Sequence, residues 1–475
     1  MIERLPGKHC VKGDIMKPIS ISEIEKAVSG KLMQGNGNKK VTSVSIDTRT
    51  LEKGDIFIAL KGENYDAHNF VEEAVKKGAS ALIVEKNNIN FDSVPIIVVE
   101  DTLKALQDFA HYYRMTFSDL KVIGITGSAG KTTTKDMVEG VLKSKYKVLK
   151  TKKNLNNHIG VPLTLLELEG DEDFAVIEMG MSSIGEIRKL SRIARPQIGI
   201  ITNVGPSHLE ELGDVETVAQ GKSELIEELP GSGTAVLNYD NNYVRKMKKN
   251  FQGENIIYYG FNENADVYVK DINEGVEGNR YTINYRGEEV VLYITRPGKH
   301  NIYNALSAVI AGRENGIEWS SIQSGINNAD YSELRMDIKK ANNFRIIDDT
   351  YNANPLSVKA GINVLTVISN NRSIAVLGDM LELGDYREQA HRNVGKYVAS
   401  KGVDFLICCG ELARYFASGA KEAGMEKKSI FKVLSNSEAI EVLENLINPG
   451  DTLLIKGSRG MEMEEIVDAL TEQGG

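Results

Sequence analysis

The chain has 475 residues, with 57 Lys or Arg against 66 Asp or Glu and a formal net charge of −9. That length exceeds a single core and suggests two to four domains, and the acid excess leaves no global basic field for nucleic acid or acidic lipid, so an anionic substrate must be met by a local site. Three cysteines without a Cys-x-x-Cys pair, no apolar run near the ~20 residues of a membrane span and no apolar signal core argue against a disulfide framework, a zinc site and export, and lead us to expect a soluble cytoplasmic protein.

Residues 1–15 are irregular and mixed in charge and read as an extension with no catalytic part. A capped helix is expected from near Ser22, with Glu25 three positions on. From Val41, short alternating strands surround a helix expected over about Ala67 to Lys77 and ended by Gly78. Val94 to Val99 reads as a further strand, and Leu103 to Arg114 as a helix leading to the next domain. In this small α/β unit, Asp47-Thr48-Arg49 closes a strand, and Lys61-Gly62 opens a loop carrying Asp66, His68 and Asn69. Such groups fit either recognition or a solvated charged turn.

The stretch LKVIGITGSAGKTTTKDMVEGVL, from Leu120 to Leu142, organises the chain. Val122 to Ile125 is short, apolar and β-branched, which suits a strand covered on both faces, and Thr132 to Leu142 is expected as a helix. Between them lies Gly127-Ser128-Ala129-Gly130-Lys131-Thr132, followed by Thr133. Glycines let backbone N–H groups turn inward, the helix start adds partial positive charge, Lys131 reaches terminal phosphates and the Thr132 hydroxyl suits Mg²⁺. The pattern therefore predicts an ATP or GTP site, although Ile125 stands where the usual phosphate loop has its first glycine.

Next come the polar loop Asn154 to Pro162, which includes Asn157, and two expected strands, Phe174 to Glu178 and Gln197 to Val204. In a doubly wound sheet ligands gather at the carboxyl ends of strands, so Thr132, Glu178 and His208 are expected along one edge. Glu178 suits Mg²⁺ as an oxygen ligand; His208 suits either the metal or the orientation of a phosphate or water. Lys222 lies in VAQGKSELIEEL, which reads as a helix start, where a lysine is ordinarily a surface charge. Gly298 to Ala305 leads into another helix whose polar first turn, with Asn304, either faces the adenine or serves as a cap.

In the last third, Arg335 lies in YSELRMDI, and the strand Phe344 to Ile347 opens onto the polar octet Asp348 to Pro355, too rich in hydrogen-bonding groups for an ordinary connection. Strands are expected at Ser373 to Leu377, Phe405 to Cys408 and Thr452 to Ile455, each running into a polar or glycine turn. This is a second parallel α/β sheet without its own phosphate loop, suited to bringing a second substrate to ATP.

These strings resemble the Mur ligase family: TGSAGKT at Thr126 to Thr132, DTR with FIALKG in the first third, NLNNHIGVPLTLL, and ITNVGPSHLE. YNANP at Tyr351 to Pro355, GDMLELG at Gly378 to Gly384 and KGSRGMEME from Lys456 resemble the branch that adds D-alanyl-D-alanine to UDP-N-acetylmuramoyl-tripeptide. The resemblance implies an α/β protein of three domains: a small N-terminal substrate domain (16–102), a central P-loop-like ATPase with a mostly parallel doubly wound sheet (103–330), and a C-terminal Rossmann-like domain (331–475). It implies ATP and Mg²⁺ as cofactors, UDP-N-acetylmuramoyl-tripeptide and D-alanyl-D-alanine as partners, no nucleic acid, and a monomer. Gly127, Ser128, Ala129, Gly130, Lys131, Thr132, Thr133, Asn304, Arg335, Asp349 and Tyr351 would contact ATP. Thr132, Glu178 and His208 would hold Mg²⁺, and Lys222 resembles a lysine that is carbamylated to ligate a second ion; Lys131, Glu178, His208 and Lys222 are the catalytic set. Asp47, Thr48 and Arg49 would bind the uridine nucleotide or the peptide end of that substrate, Lys61 its diphosphate, Asn157 would also meet substrate, and Asn352, Asn354 and Arg459 would meet the dipeptide. Other amide ligases of this architecture, such as the ligase for the third peptide residue or a folylpolyglutamate synthetase, are disfavoured by YNANP and KGSRG. A nucleotide switch that makes no bond remains the alternative of another class.

Overall fold

The computed structural model describes residues 16–62, 65–85, 91, 94–341 and 343–472, so the expectation for residues 1–15 lies outside the described residues. The fold is α/β, with mostly parallel sheets. Its contacts divide the chain into two units. The first holds the chain up to Gly124 with Tyr146–Gly180 and Glu186–Gln197; the second holds Ile125–Lys145, Met181–Gly185 and the chain from Ile198 onward.

In the first unit a five-stranded sheet has the order Lys31–Gln34, Ile96–Val98, Ala81–Val84, Ile56–Ile58, Val44–Ser45; only Lys31–Gln34 is antiparallel to its neighbour. Every residue of Ala81–Val84 is buried, which accounts for an apolar run without alternation. The first helix is Ile21–Ala27, and its cap is Ser20, not Ser22. Ser20 Oγ accepts from Glu23 N at 3.3 Å and Glu23 Oε2 accepts from Ser20 N at 2.9 Å. Two Ser-x-x-Glu boxes overlap in ISISEIE, and the one that buries Ile21 and Ile24 completely wins. Glu25 instead accepts from Leu32 N at 2.8 Å. The expected 67–77 helix starts as a 3₁₀ turn, Ala67–Phe70, and continues as Val71–Lys76, with Gly78 at φ +94°. Asp101 caps a helix over Thr102–Met115, and Val148–Lys150 pairs in parallel with Phe174–Glu178.

In the second unit, Ile198–Ile201, Thr234–Asn238, Asn255–Gly260 and Val267–Gly275 follow one another in parallel, and Gly278–Tyr285 and Glu288–Ile294 extend the sheet as an antiparallel meander. The strand expected at Gln197 to Val204 is shorter because the chain leaves the ladder at Thr202 to form the phosphate loop's neighbour. A six-stranded sheet has the order Asp337–Ala341, Phe344–Asp348, Thr452–Lys456, Ser373–Gly378, Phe405–Cys409, Ile430–Val433; all its pairings are parallel except the first. Helices cover both faces. Val358, Ile362, Leu365, Val394 and Phe416 pack one side and Ala439, Leu443, Ile466 and Val467 the other. Cys408 and Cys409 lie inside, and burial pushes the Cys408 thiol up to about 12, which keeps it inert. No helix among the described residues is long and apolar enough to cross a membrane.

Candidate nucleotide and phosphoryl-transfer site

Lys121–Thr126 runs into a loop whose two glycines are required by shape. Gly127 has φ +155°, and a Cβ there would lie 1.9 Å from Thr202 Oγ1; Gly130 has φ +80°, and a Cβ would lie 2.6 Å from Asn304 Oδ1. The loop is stitched to the segment after Ile198–Ile201. Ser128 N donates to Asn203 O at 3.0 Å, Ala129 N to Asn203 Oδ1 at 2.9 Å, and Asn203 Nδ2 and Thr202 Oγ1 both donate to Ala129 O, at 2.9 and 2.6 Å. The helix Lys131–Leu142 starts at Gly130 with no side-chain cap, so the N–H groups of its first turn, together with its dipole, suit an anion. Lys131 Nζ donates to Gly127 O at 2.8 Å, Thr132 is buried, and Thr133 is half-buried beside it. Thr134 Oγ1 donates to Asn304 Oδ1 at 3.2 Å, which fixes Asn304 against this helix.

Lys222 corrects two expectations. Its helix begins at Val215, where Asp214 accepts from Thr217 N at 2.7 Å, so Lys222 is mid-helix rather than at a start. It is also 2% exposed and, among the described residues, has no hydrogen-bond or ion-pair partner. Burial first, and the nearby charge of Lys131 second, push its ammonium well below the usual range.

Glu178, in the first unit, ends a fully buried strand. Its Oε1 accepts from Asn156 Nδ2 at 2.9 Å, while Oε2 is buried without a partner among the described residues. A buried carboxylate oxygen left so suits a hard cation. Asn157 is exposed and uses its side-chain oxygen to accept from Ile159 N and Gly160 N, at 3.1 and 2.9 Å. In the second unit, Ser207 Oγ donates to Ser128 Oγ at 3.0 Å, which seats the residue before His208 on the loop. His208 has φ +53°, and its Nδ1 lies 2.7 Å from Glu382 Oε2, a pairing that holds the Glu382 carboxyl below its ordinary range.

The last third supplies a braced polar cluster. Arg335 stacks its guanidinium 4.0 Å from the Tyr351 ring centre; its neighbours Leu334 and Met336 both have positive φ, +60° and +54°. Arg296 Nη1 donates to Arg335 O at 2.9 Å and Tyr351 N to Leu334 O at 3.2 Å. Asp349 pairs with buried Lys456 at 2.6 Å, and Lys456 Nζ also donates to Asn352 O at 2.7 Å. Burial pushes the carboxyl up and the ammonium down, and their pairing opposes both shifts. Asn354 caps Pro355–Ile368 by accepting from Ser357 N at 2.9 Å, and its Nδ2 donates to Ser128 O at 3.0 Å. The side chain of Asn352 is exposed, and Arg459 pairs with Glu464.

The remaining sequence candidates sit in the first unit. Arg49 Nη2 pairs with Asp47 Oδ2 at 2.6 Å and holds that carboxyl below its usual range. Thr48 is buried and its carbonyl accepts from Lys77 Nζ at 2.7 Å; Lys61 and Asp66 pair through the backbone as an isolated antiparallel β-bridge. His68 is a buried bracing residue: Nδ1 lies 2.6 Å from Asp66 and Nε2 accepts from Glu85 N at 2.9 Å. Sequence reasoning did not single out Thr202, Asn203, Glu382 or Lys456 for the site. Each lies in a quoted string, ITNVGPSHLE, GDMLELG or KGSRGMEME, but their partners are distant in sequence.

Comparison with known proteins places these features in a family context. Residues 125–312 match the Mur ligase middle domain, 334–459 the Mur ligase, glutamate ligase domain, and 40–114 the Mur ligase family, catalytic domain. The UDP-N-acetylmuramoyl-tripeptide–D-alanyl-D-alanine ligase of Bacillus subtilis is 37% identical over 457 residues, covering 95% of this chain and 98% of that protein. The crystal structure of MurF from Acinetobacter baumannii aligns with a TM-score of 0.90 at 31% identity, over 96% of this chain and 99% of that one. MurF ligase from Thermotoga maritima, solved in complex with ADP, aligns at 0.81 and 26% identity, over 91% and 97% of the two chains.

Proposed function

Because the chain belongs to the Mur ligase family, we infer that it is an ATP-dependent amide ligase of peptidoglycan synthesis that joins D-alanyl-D-alanine to UDP-N-acetylmuramoyl-tripeptide. The observation that carries this reading is the hydrogen bond from Asn354 to Ser128, which joins the polar YNANP segment to the phosphate loop. A ligase needs its second substrate there; a nucleotide switch does not.

The γ-phosphoryl group passes from ATP to the terminal carboxylate of the tripeptide, giving ADP and an acyl phosphate. The dipeptide amine attacks the acyl carbon, and phosphate leaves from the tetrahedral intermediate as the amide forms. No enzyme nucleophile is required, so the chain's part is positioning and charge neutralisation. Backbone N–H groups of Gly127, Ser128, Ala129 and Gly130, the Lys131 ammonium and the Thr132 and Thr133 hydroxyls hold the phosphates; Asn304, Arg335, Asp349 and Tyr351 also contact ATP. Asp47, Thr48, Arg49, Lys61 and Asn157 meet the uridine nucleotide substrate, and Asn352, Asn354 and Arg459 the dipeptide.

Thr132, Glu178 and His208 are the ligands proposed for Mg²⁺, and the buried Glu178 oxygen without a partner among the described residues suits Glu178 to that part. When bound, the ion neutralises phosphate charge. Burial pushes the Lys222 ammonium well below its usual range, which favours addition of the amine to CO₂ with loss of a proton, and the resulting carbamate oxygens would suit a second Mg²⁺. We further propose that the enzyme is a cytoplasmic monomer of three domains, 16–102, 103–330 and 331–475, that close on substrate; scattering curves unchanged by ATP analogue plus tripeptide would count against closure. The decisive measurement is phosphate release from Mg²⁺-ATP and the tripeptide, with and without D-alanyl-D-alanine, with mass spectrometry of the product. Release that needs both substrates and yields a pentapeptide is expected; release indifferent to the dipeptide would leave an ATPase and remove the ligase assignment.

A further inference from the structure

The segment GDMLELG has no part in the reaction as described so far. In the fold it forms a turn in which Glu382 has φ +61° and Gly384 φ +50°. This turn lies against the head of the short helix Leu209–Leu212: Glu210 N donates to Glu382 O at 3.2 Å, and a Cβ on Gly384 would lie 3.2 Å from Glu210 Cα and 3.3 Å from Leu209 O. At so close an approach a side chain would have to push these neighbours back by a few tenths of an ångström and would strain the left-handed backbone. The approach brings Glu382 Oε2 to 2.7 Å from His208 Nδ1. Both residues hold left-handed backbone that a non-glycine residue adopts only where surrounding contacts impose it.

The Glu382 side chain is 57% exposed and that of His208 30%, so the pair adds little to stability. Its effect is directional. A carboxylate at Nδ1 keeps the ring proton on that nitrogen, stops the ring from turning, and leaves the Nε2 lone pair to serve as a ligand. We propose that Glu382 is a positioning residue that holds His208 through Nδ1 and so presents Nε2 to the divalent cation that accompanies ATP. The proposal rests on the reading of His208 as a metal ligand. GDMLELG thereby acquires a role, since the last third of the chain completes the geometry of a phosphate-site residue of the middle third.

The test is Mn²⁺ binding, read by electron paramagnetic resonance of the free ion, on the full chain saturated with a non-hydrolysable ATP analogue. Glu382→Ala and His208→Ala are each expected to weaken Mn²⁺ binding about tenfold or more. Glu382→Gln, which keeps an acceptor for the Nδ1 proton, should recover most of the loss, and Glu382→Ala should add nothing in the His208→Ala background. Thermal unfolding of Glu382→Ala should match that of the unaltered chain, which separates orientation from stability. If Glu382→Ala binds Mn²⁺ normally while His208→Ala does not, the positioning role falls and the ligand reading stands. If Glu382→Ala weakens binding equally with and without His208, Glu382 acts by another route and the proposal is overturned. If His208→Ala changes nothing, the ligand reading itself fails and takes the proposal with it.

Discussion

Two lysines are buried to the same extent, 2% exposed each, in opposite surroundings. Lys456, at the end of Thr452–Lys456, meets the Asp349 carboxylate and the backbone oxygens of Asp349 and Asn352. Lys222, in the middle of Val215–Glu227, has no hydrogen-bond or ion-pair partner among the described residues and feels the charge of another cation, Lys131. A buried ammonium with three oxygen partners is scaffold: it fixes the loop that carries Asp349, Tyr351 and Asn352. A buried lysine with no such partner among the described residues costs stability unless chemistry uses it.

The comparison is broken most sharply at Lys222. Lys222→Ala is expected to lower kcat by about 100-fold or more, as removal of a charge-stabilising group does, without loss of fold. Short carboxylic acids added to this variant should restore part of the rate if a carbamate is the active form; no recovery removes that idea's main support. At Lys456 the order of effects reverses. Lys456→Met leaves Asp349 buried and uncompensated and should destabilise the chain by about 3–5 kcal/mol in denaturant unfolding; adding Asp349→Asn should return much of that loss.

A third, half-buried group sharpens the contrast. Burial, with the Lys456 and Arg296 charges behind it, lowers the His300 imidazole to about 4. Because the folded value lies below the ordinary 6.5, the unfolded chain takes up the proton first. The stabilisation is therefore complete above pH 6.5 and is lost as the pH falls towards 4. At about 1.4 kcal/mol per unit this comes to about 3 kcal/mol, and His300→Gln should flatten stability across that window in unfolding curves measured from pH 7 to 4. The smallest effect is expected at Asn354. Asn354→Asp keeps the cap oxygen but removes the donor to Ser128, so stability should hold while the KM for ATP rises about fivefold; Asn354→Ala should lose the cap as well, about 1 kcal/mol. Equal KM values for the two variants and the unaltered chain would separate the YNANP segment from the nucleotide.

Much of the frame was legible because its causes are local. The strand, glycine turn and helix from Lys121 to Leu142 occur in the expected order, and the strands Phe174–Glu178, Phe344–Asp348, Ser373–Gly378, Phe405–Cys409 and Thr452–Lys456 fall within a residue of their expected bounds. Fully buried parallel strands write themselves as apolar runs ended by polar turns. Where two local signals competed, as at Ser20 and Ser22, only packing of Ile21 and Ile24 selected the register.

What composition and local pattern determined by themselves was the α/β class, the phosphate loop and the strings that point to the family, since turn chemistry, helix starts and burial periodicity act over a few residues. Tertiary structure alone decided which of those residues meet: Asn354 reaches Ser128 across 226 residues of chain, Glu382 finds His208, and Lys456 finds Asp349. It also decided that Lys222 is buried rather than exposed. The physical reason is that a charged side chain's role depends on its solvent and its partners, and both are set by segments far away in the sequence.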